Sequence, residues 1–535
     1  MARAVLPNAE HRFWVGEEAL LNFSLTGRFR DSDLTRGYLD ETLNPAKEPI
    51  DFYIKGPNEY RSRYDRYRIM NYRHNKLLYQ GDHFDVFRYF RYILDSFTGT
   101  NKSSQFFDNR NKLIVYVVIN LLGLISRKIA DLIAVETPEI TPWKKAPKKI
   151  KEAIDRISKQ SKFQAMLYNS ALTIGVKGDG IWIPEVFTLH GKNAIRIKRV
   201  MPETWFPTLN ISDLQNIQEH VFAWKFSGDN GRTILRRQTY GPGYIRHEAN
   251  WLEDNEDIGA PLSDTEIIKY FAPEGLPPNA IFRNIKDSLV THIPNIQFDE
   301  QHPFGISDYV DLKGPMDEIN HRMTQIALEL DKHANLSMRG PAVGKQETPV
   351  GKYFVYDADE PPPEYISLPT QAIGVMMDEV ELLIKWVLTL SETSPGLVGL
   401  KEGSGVVRAE ALRIESSNSI TKAMRKQLYL TEAIQKAFRD AMLLENEMGI
   451  ETYKIDGLVG VVWKDGLPDT ESEKAELMSL RTGGKPTIST MDAVKRLDGE
   501  GSDETLKNLL DESEQEMLQQ IQVPEDDING NPQKQ

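Results

Sequence analysis

The chain has 535 residues, 40% of them hydrophobic and 27% charged, which is the composition of a folded protein with several compact units. It contains no cysteine, and this excludes disulfide scaffolds, thiolate zinc sites and cysteine nucleophiles. The net charge is −13, and residues 466–535 carry −9 of it through 16 acidic against 7 basic side chains. Such a chain is not expected to wrap nucleic acid through a broad cationic face.

The N-terminal half shows no membrane or export signal. The longest apolar run, Leu113–Ile125, has 13 residues and is too short to span a bilayer. The first residues have no apolar signal core. We therefore expect a soluble, non-secreted protein.

Residues 57–95 are rich in arginine and aromatic side chains, a mixture that can stack on nucleic acid. Eight basic residues against five acidic ones leave a local charge of only +3. The favoured interpretation is a helical surface of paired arginine and aspartate side chains at a subunit contact.

An α+β pattern follows. Leu113–Val135 predicts a long buried helix, and Lys148–Lys162 predicts a basic amphipathic helix. From about Ala171 to Glu248 the pattern changes to strands, with Lys177–Gly180 as a hairpin turn. Residues Ile195–Val200 break strict alternation, which predicts a bulged strand.

The central part of the chain predicts a long helical hairpin. Pro315–His333 has helical periodicity, and Thr370–Leu390 places apolar residues on one helix face. Their lengths are about 28 and 32 Å at about 1.5 Å per residue. Between them, Ala334–Pro369 is rich in proline, glycine and β-forming residues. The order predicts two similar helices with a small β module at their tip.

A glycine-rich segment, Ser391–Gly405, leads into a third predicted helix, Val406–Glu447, about 63 Å long. The apolar stripe assigned to this helix consists of Ile420, Met424, Leu428, Ile434, Phe438 and Met442. Gly457–Pro468 predicts a strand and turn, and residues 470–520 predict short acidic helices. The sequence has no phosphate-binding loop, HExxH, GxSxG or GxGxxG motif, so no catalytic site, metal or cofactor is predicted.

Seven segments, in chain order, can be compared with a known family. They are YRHNKLLYQGDHFDVF (72–87), VVINLLGLISRKIADLI (117–133), GVKGDGIWIPEV (175–186), RIKRVMPETWFP (196–207), HPFGISDYVDLKGPMDEINHRMTQIALELDKHA (302–334), SETSPGLVGLKEGSGVVRAEALRI (391–414) and PTISTMDAVKRLDGEGSDETLKNLLDESEQEM (486–517). Together they resemble segments of tailed-bacteriophage portal proteins, which form the ring through which DNA is packaged and ejected at the unique capsid vertex.

The resemblance implies an α+β portal fold with a wing, a helical stem, a small β-containing clip and an α-helical crown. The implied parts are the wing (1–306), stem helix 1 (307–333), the clip (334–369), stem helix 2 (370–390), the tunnel loop (391–405), the wing long helix with its return strand (406–469), the crown (470–522) and a disordered tail (523–535). Because Gly314–Pro315 falls inside the first stem segment, that helix is expected to begin at Pro315 or to kink there.

Three sets of site residues follow from the resemblance. The tunnel-loop residues expected to meet DNA are Ser394, Pro395, Gly396, Leu397, Val398, Gly399, Lys401, Glu402 and Gly403. The stem residues expected to face the channel are Asp317, Glu318, Glu329, Asp378, Glu379, Glu381 and Lys385. The clip residues expected to dock other proteins are Arg339, Lys345, Gln346 and Lys352.

Each set has a simpler interpretation too. The stem segments carry −3 and −2, or −60 over twelve copies, but any soluble helix presents a solvated charged face. The glycines suit a mobile loop that narrows a channel, and equally an ordinary surface loop. The YFVY segment, residues 353–356, could add a strand to a neighbour's sheet or pack within one subunit.

The resemblance also implies function and partners. Twelve copies would form a ring that double-stranded DNA crosses, without enzymatic activity or cofactor. The implied partners are the large terminase, the major capsid and scaffolding proteins and the neck or adaptor proteins, with no membrane. The implied location is the virion, and the host cytoplasm during assembly. The alternatives are a nucleic-acid-processing enzyme with an unrecognised active site, and another structural ring subunit of the head–tail neck, for which the chain is long.

Overall fold

The structure is a computed structural model, and the chain divides into two compact units, Met1–Ser404 with Glu415–Gly466 and Gly405–Ile414 with Leu467–Gln535. The described residues are 3–4, 15–16, 63–83, 86, 117–210, 212–227, 232–253, 257–270, 277–298, 302–334, 338–339, 346–348, 351–353, 364–365, 370–400, 413–464, 471–482 and 493–494.

The described α-helices of the first unit are α1 (Arg63–Gln80), α2 (Leu121–Ala134), α3 (Lys148–Ser161), α4 (Phe163–Lys177), α5 (Asp264–Tyr270), α6 (Lys313–Ala334), α7 (Thr370–Leu390) and α8 (Ser417–Glu447). The strands are β1 (Arg3–Ala4), β2 (Val15–Gly16), β3 (Glu139–Thr141), β4 (Asp179–Leu189), β5 (Lys192–Val200), β6 (Trp205–Asn210), β7 (Asp213–Ser227), β8 (Thr233–Gly241), β9 (Tyr244–Glu253), β10 (Asp257–Pro261), β11 (Asn279–Ile281), β12 (Thr291–Pro294), β13 (Met338–Arg339), β14 (Gln346–Thr348), β15 (Gly351–Tyr353), β16 (Glu364–Tyr365) and β17 (Gly460–Val462). The second unit, within its described residues, contains α9 (Glu471–Thr482), in agreement with a short acidic helix there.

Two antiparallel sheets make up most of the strand content. One has the order β12-β4-β5, and the other has the order β10-β9-β8-β7-β6 with β11 paired to β9. The chain is therefore a mixed α and β protein, as its sequence predicts. β1 pairs with β2, and β3 pairs with β17, which brings the predicted return strand back to the N-terminal half.

One turn prediction and one bulge prediction in this region are wrong. Residues 171–177 belong to α4, and Gly178, with φ +100°, ends that helix instead of closing a hairpin. The hairpin turn lies between β4 and β5 at His190 and Gly191, whose φ values of +50° and +74° match the right-handed twist of the strands. The register from Ile181 to Leu189 against β5 is unbroken, so β5 is not bulged.

The long helix predicted over Leu113–Val135 begins only at Leu121 within the described residues. Asn120 caps it, because its side-chain oxygen accepts a hydrogen bond from the Gly123 amide at 2.9 Å. Residues 117–120 form no regular secondary structure, and the amides of Val117 and Ile119 donate to side chains of α6.

The main core lies where α8 crosses α2 and the sheet that contains β4, β5 and β12. Phe438 of α8 is fully buried and meets the Phe163 ring edge-on at 5.5 Å. Trp182 of β4 is also fully buried and packs edge-on against Phe163.

Part of the arginine- and aromatic-rich segment lies in the interior. Arg68 of α1 is 5% exposed, donates to the Trp205 carbonyl at 2.6 Å and stacks over the Phe304 ring. Tyr72 is buried and donates its hydroxyl hydrogen bond to Asp179. The predicted surface of arginine–aspartate pairs is therefore wrong at Arg68. Its guanidinium group instead contacts Trp205 of β6 and Phe304, and so helps α1 to pack on the sheet that contains β6.

Candidate functional site

The helices α6 and α7 form an antiparallel pair. Lys422 contacts both Asp308, just before α6, and Ser391, just after α7, while Arg322 and Glu379 meet halfway along the two helices. The observed lengths of 22 and 21 residues correspond to about 33 and 32 Å. The helix predicted from Pro315 begins two residues earlier, so that proline lies in the first turn, where its missing N–H needs no partner.

Arg322 joins the two helices. Nε of Arg322 lies 3.1 Å from Oε1 of Glu318 on its own helix and 3.1 Å from Oε2 of Glu379 on α7. All three side chains are about one-third exposed, and such pairs contribute about 0–1 kcal/mol each. Two of the predicted channel-facing acids are thus paired with a cation.

The opposite side of α6 is fixed to the rest of the unit. Asn320 accepts from the Ile119 amide at 2.9 Å, and its amide nitrogen lies 2.8 Å from Nδ1 of His83. Nε2 of His83 lies 2.8 Å from the Leu78 carbonyl, so the ring fits as a neutral tautomer with its proton on Nε2. Burial lowers the pKa of His83, in agreement with this tautomer.

Helix α7 has three faces. The inner face contains Val380 and Val387, which are buried as the sequence predicts. The second face, here called the apolar stripe, is 48–67% exposed and consists of Val375, Leu382, Trp386 and Leu390. The third face, here called the polar stripe, is exposed and consists of Asp378, Glu381 and Lys385. An exposed tryptophan in a row of exposed aliphatic residues is typical of a surface that meets a partner.

The segment after α7 is anchored to α8 by buried polar groups. The Ser394 amide donates to Oγ of Ser419 at 2.8 Å, and Oγ of Ser394 donates to the Glu415 carbonyl at 2.8 Å. Nζ of Lys422 donates to the Ser391 carbonyl at 2.9 Å. Ser391 and Ser394 are 1% and 5% exposed, so this end of the predicted tunnel loop is fixed in place.

The described half of the predicted tunnel loop is an ordered turn. Pro395–Val398 form a 3-10 turn that ends at Gly399, whose φ of +79° favours glycine. This half, which includes Ser394, Gly396 and Leu397, is a defined turn, and the mobility expected of the glycine loop stays a prediction. Lys401, Glu402 and Gly403 lie outside the described residues.

A buried charge cluster lies at the base of the pair. Oδ2 of Asp308 is 2.8 Å from Nζ of Lys426 and 3.4 Å from Nζ of Lys422, and Oδ1 accepts from Asn295 at 2.8 Å. The two lysines hold the pKa of Asp308 well below its usual value although burial opposes this, and burial lowers the pKa of Lys426. The charge of −3 expected for the first stem segment includes Asp308, whose carboxylate is buried and paired, so this acid is not available to a channel surface.

The predicted stripe of α8 is wrong over its first half. Met424 and Leu428 are 58% and 68% exposed, whereas Lys422 and Lys426 are buried against Asp308. Periodicity alone does not indicate that these two lysines are buried, because charged side chains usually face solvent. Their spacing of four residues is the feature that could have indicated a shared charged partner.

The clip segment contains two short strand pairs, β13 with β16 and β14 with β15. In their register Arg339 is opposite Glu364, Gln346 is opposite Tyr353, and Lys352 is opposite Glu347. Lys345 and residues 354–356 lie outside the described residues.

The remaining stem residues are less exposed than the polar stripe. Asp317 and Glu329 of α6 are partly buried. Among the described residues, no three His, Asp or Glu side chains are grouped so that they could hold a metal ion. Within the same ranges no helix is long and apolar enough for a membrane span.

Comparison with known protein families identifies the family of this chain. The family model of phage portal proteins, SPP1 Gp6-like, matches residues 58–519, which is most of the chain. The chain belongs to this portal protein family. A search of curated proteins finds no match. Portal proteins are structural virion components at the capsid vertex, and membership implies a homo-oligomeric ring with capsid and packaging partners.

Proposed function

We propose that this portal protein forms a ring of twelve copies at the unique capsid vertex, through which double-stranded DNA is packaged and ejected. The observation that carries the proposal is the antiparallel pair α6–α7, which has a β module at one end and an anchored turn at the other. This pair is the stem of the proposed channel, the surrounding α+β unit is the wing, and α9 belongs to the crown.

The faces of α7 suggest how the stem is oriented in the ring. Its inner face packs on α6, which leaves the apolar stripe and the polar stripe for a neighbouring copy and for the water-filled channel. Leu382 and Trp386 gain free energy when a neighbour covers them, whereas Asp378 and Lys385 keep their hydration in a channel. The polar stripe is therefore the face proposed to line the channel.

The tunnel loop is proposed to act from a fixed base. The hydrogen bonds of Ser391 and Ser394 to α8 support a fixed base for the described half of the loop, up to Gly399. Lys401, further along the loop, is the cation proposed to approach a phosphate of the passing duplex. Deleting Pro395–Gly403 should leave rings intact and impair packaging or retention of DNA, and normally packaged particles would contradict this role.

The clip, residues 334–369, is proposed to dock the large terminase during packaging and the neck or adaptor proteins afterwards. Terminase supplies the ATP hydrolysis in this scheme, and the portal ring supplies a passive channel without cofactor. Contacts with the major capsid and scaffolding proteins place it in the virion, after assembly in the host cytoplasm. Reversing Arg339 and Lys345 to glutamate should weaken terminase binding and leave the ring unchanged.

The absence of cysteine permits a direct test of the orientation. Leu382→Cys and Lys385→Cys each introduce one thiol, on the apolar and polar stripe respectively. Ring formation is followed by electron microscopy, and thiol labelling by a small maleimide is compared in monomer and ring. We expect ring formation to protect Cys at 382 and to leave Cys at 385 reactive. The reverse pattern would overturn the orientation, and the absence of rings would overturn the proposed function.

A further inference from the structure

A cluster of five lysines on this acidic protein has no role in the proposed channel. The lysine cluster consists of Lys144, Lys145, Lys148, Lys149 and Lys151, all exposed, and no acidic residue interrupts it. The whole segment 144–162 has eight basic and two acidic residues, a charge of +6 in a chain of −13. Helix α3 packs against β3, β5, α4 and α8, so the cluster lies on the wing and not on the stem pair.

Two local conformational or electrostatic preferences disfavour lysine at positions of the lysine cluster. The Ala146 amide bonds the Trp143 carbonyl at 3.0 Å, which closes a tight turn with Lys144 and Lys145 as its central residues. Lys145 has a φ of +66°, a conformation in which glycine or asparagine is usual. A glycine there would relax the turn, but it would remove one positive charge from its tip.

The second preference concerns the helix dipole. Lys148, Lys149 and Lys151 occupy the first turn of α3, where the dipole favours acidic residues and disfavours cations by about 0.3–1 kcal/mol each. Pro147, in the capping position, provides no side-chain cap. Residues that break local rules without a gain in stability mark functional surfaces.

Few acids neutralise the cluster. Lys148 lies 4.0 Å from Glu152, and Lys149 lies 3.7 Å from Glu451, with both lysines more than two-thirds exposed. Lys144, Lys145 and Lys151 form no ion pair within the part of the chain that the structure describes. The cluster thus presents about three to five charges to solvent, which suits a polyanion.

We propose that the lysine cluster binds the phosphate backbone of duplex DNA outside the channel, without sequence preference. Lysine is depleted in the core of protein–protein interfaces, which need apolar and aromatic anchors. Binding to phosphates needs only flexible ammonium groups, because the release of counterions supplies the free energy. The inference rests on the proposed function in one respect, because packaging is what brings DNA close to the lysine cluster.

The test uses full-length assembled rings and a relaxed, covalently closed plasmid. A closed circle cannot thread a closed ring, so its binding reports surfaces outside the channel. The test variant is K144Q/K145Q/K151Q. The matched control is K192Q/K286Q/K454Q, which removes three other exposed lysines. A third variant, K144R/K145R/K151R, keeps the positive charge of the cluster. Affinity is measured between 50 and 200 mM salt.

The loss of three phosphate contacts should make the slope of log K against log salt less steep by about 2.7. Between 50 and 200 mM salt, the affinity of the wild-type ring for the plasmid should therefore fall about 40-fold more than that of the test variant. The control and the arginine variant should match wild type. Equal slopes in test and control variants would overturn the inference, as would wild-type rings that do not bind the plasmid. If the test variant binds DNA normally but is incorporated poorly into capsids, the lysine cluster binds an acidic protein instead of DNA. This result would also overturn the inference. Each of these results is obtained with assembled rings. Failure of the inference would therefore not contradict the proposed channel.

Discussion

The apolar stripe of α7 gives the sharpest test of how copies meet, and Trp386 is its largest member. A tryptophan side chain offers about 150–250 Å² of surface, and 54% of Trp386 is exposed, so roughly 100 Å² is available to a neighbour. At about 25 cal/mol per Å² its burial contributes about 2–3 kcal/mol per interface. Trp386→Ala should therefore weaken each subunit contact by about 50-fold.

Mass photometry over a range of protein concentrations measures this effect as the concentration at which rings appear. The matched control is Lys385→Ala, which shortens the neighbouring residue on the polar stripe and should leave that concentration within about twofold. Circular dichroism melting shows that both variants remain folded. If Trp386→Ala assembles as wild type does while Lys385→Ala fails to assemble, the two stripes have been assigned in the wrong order.

Three further predictions concern stability. Burial lowers the pKa of His220 to about 3 and that of His247 to about 4, below the unfolded value of about 6.5, so stability is lost as pH falls below 6.5. Each of these two histidines should reduce the free energy of unfolding by about 1–2 kcal/mol between pH 6.5 and pH 5, so urea unfolding of His220→Gln should show a pH-dependent loss that is smaller than that of wild type by about this amount; an unchanged pH dependence would contradict this. Asp308→Asn leaves two buried lysines without their anion and should cost about 3–5 kcal/mol, whereas the exposed Asp378→Asn should change stability by less than about 0.5 kcal/mol. Gly399→Ala should destabilise by about 1–2 kcal/mol because of its φ of +79°, and Gly374→Ala, within α7 with open space around its Cβ, should stabilise by about 0.5–1 kcal/mol; the same sign for both would refute the backbone argument.

Elements with a strong period were predictable from sequence. Thr370–Leu390 matches the observed helix, and Lys148–Ser161 differs from prediction by one residue. The errors arose where long-range partners decide local structure. Residues 117–120 are not helical because the amides of Val117 and Ile119 bond to side chains of α6, and residues 171–177 are helical because α4 packs on α2 and β4.

The helices α6 and α7 were predictable from the sequence, but which of their charged side chains face solvent was not. Asp308 and Lys426 are 118 positions apart, and no local pattern reveals that they share a buried site. The same pairing reverses the expected burial in α8, where Lys422 is inside and Met424 is outside. Periodicity assigns apolar residues to the interior, and it fails where an ion pair replaces an apolar contact.

These contacts change the electrostatics expected of the channel. Asp308 is neutralised by buried lysines, and Glu318 and Glu379 share Arg322, so they add little negative potential to the stem. The polar stripe of α7 contains two acids and one lysine, a charge of −1 per copy, or −12 over the proposed twelve copies. This stripe thus carries one fifth of the −60 summed over both stem segments, a sum that already includes Arg322, and water and salt screen it further. A duplex in such a channel would be repelled weakly and held weakly, which suits movement in both directions. Attraction to phosphates would then come from the lysine cluster on the wing, where binding does not brake the DNA in transit.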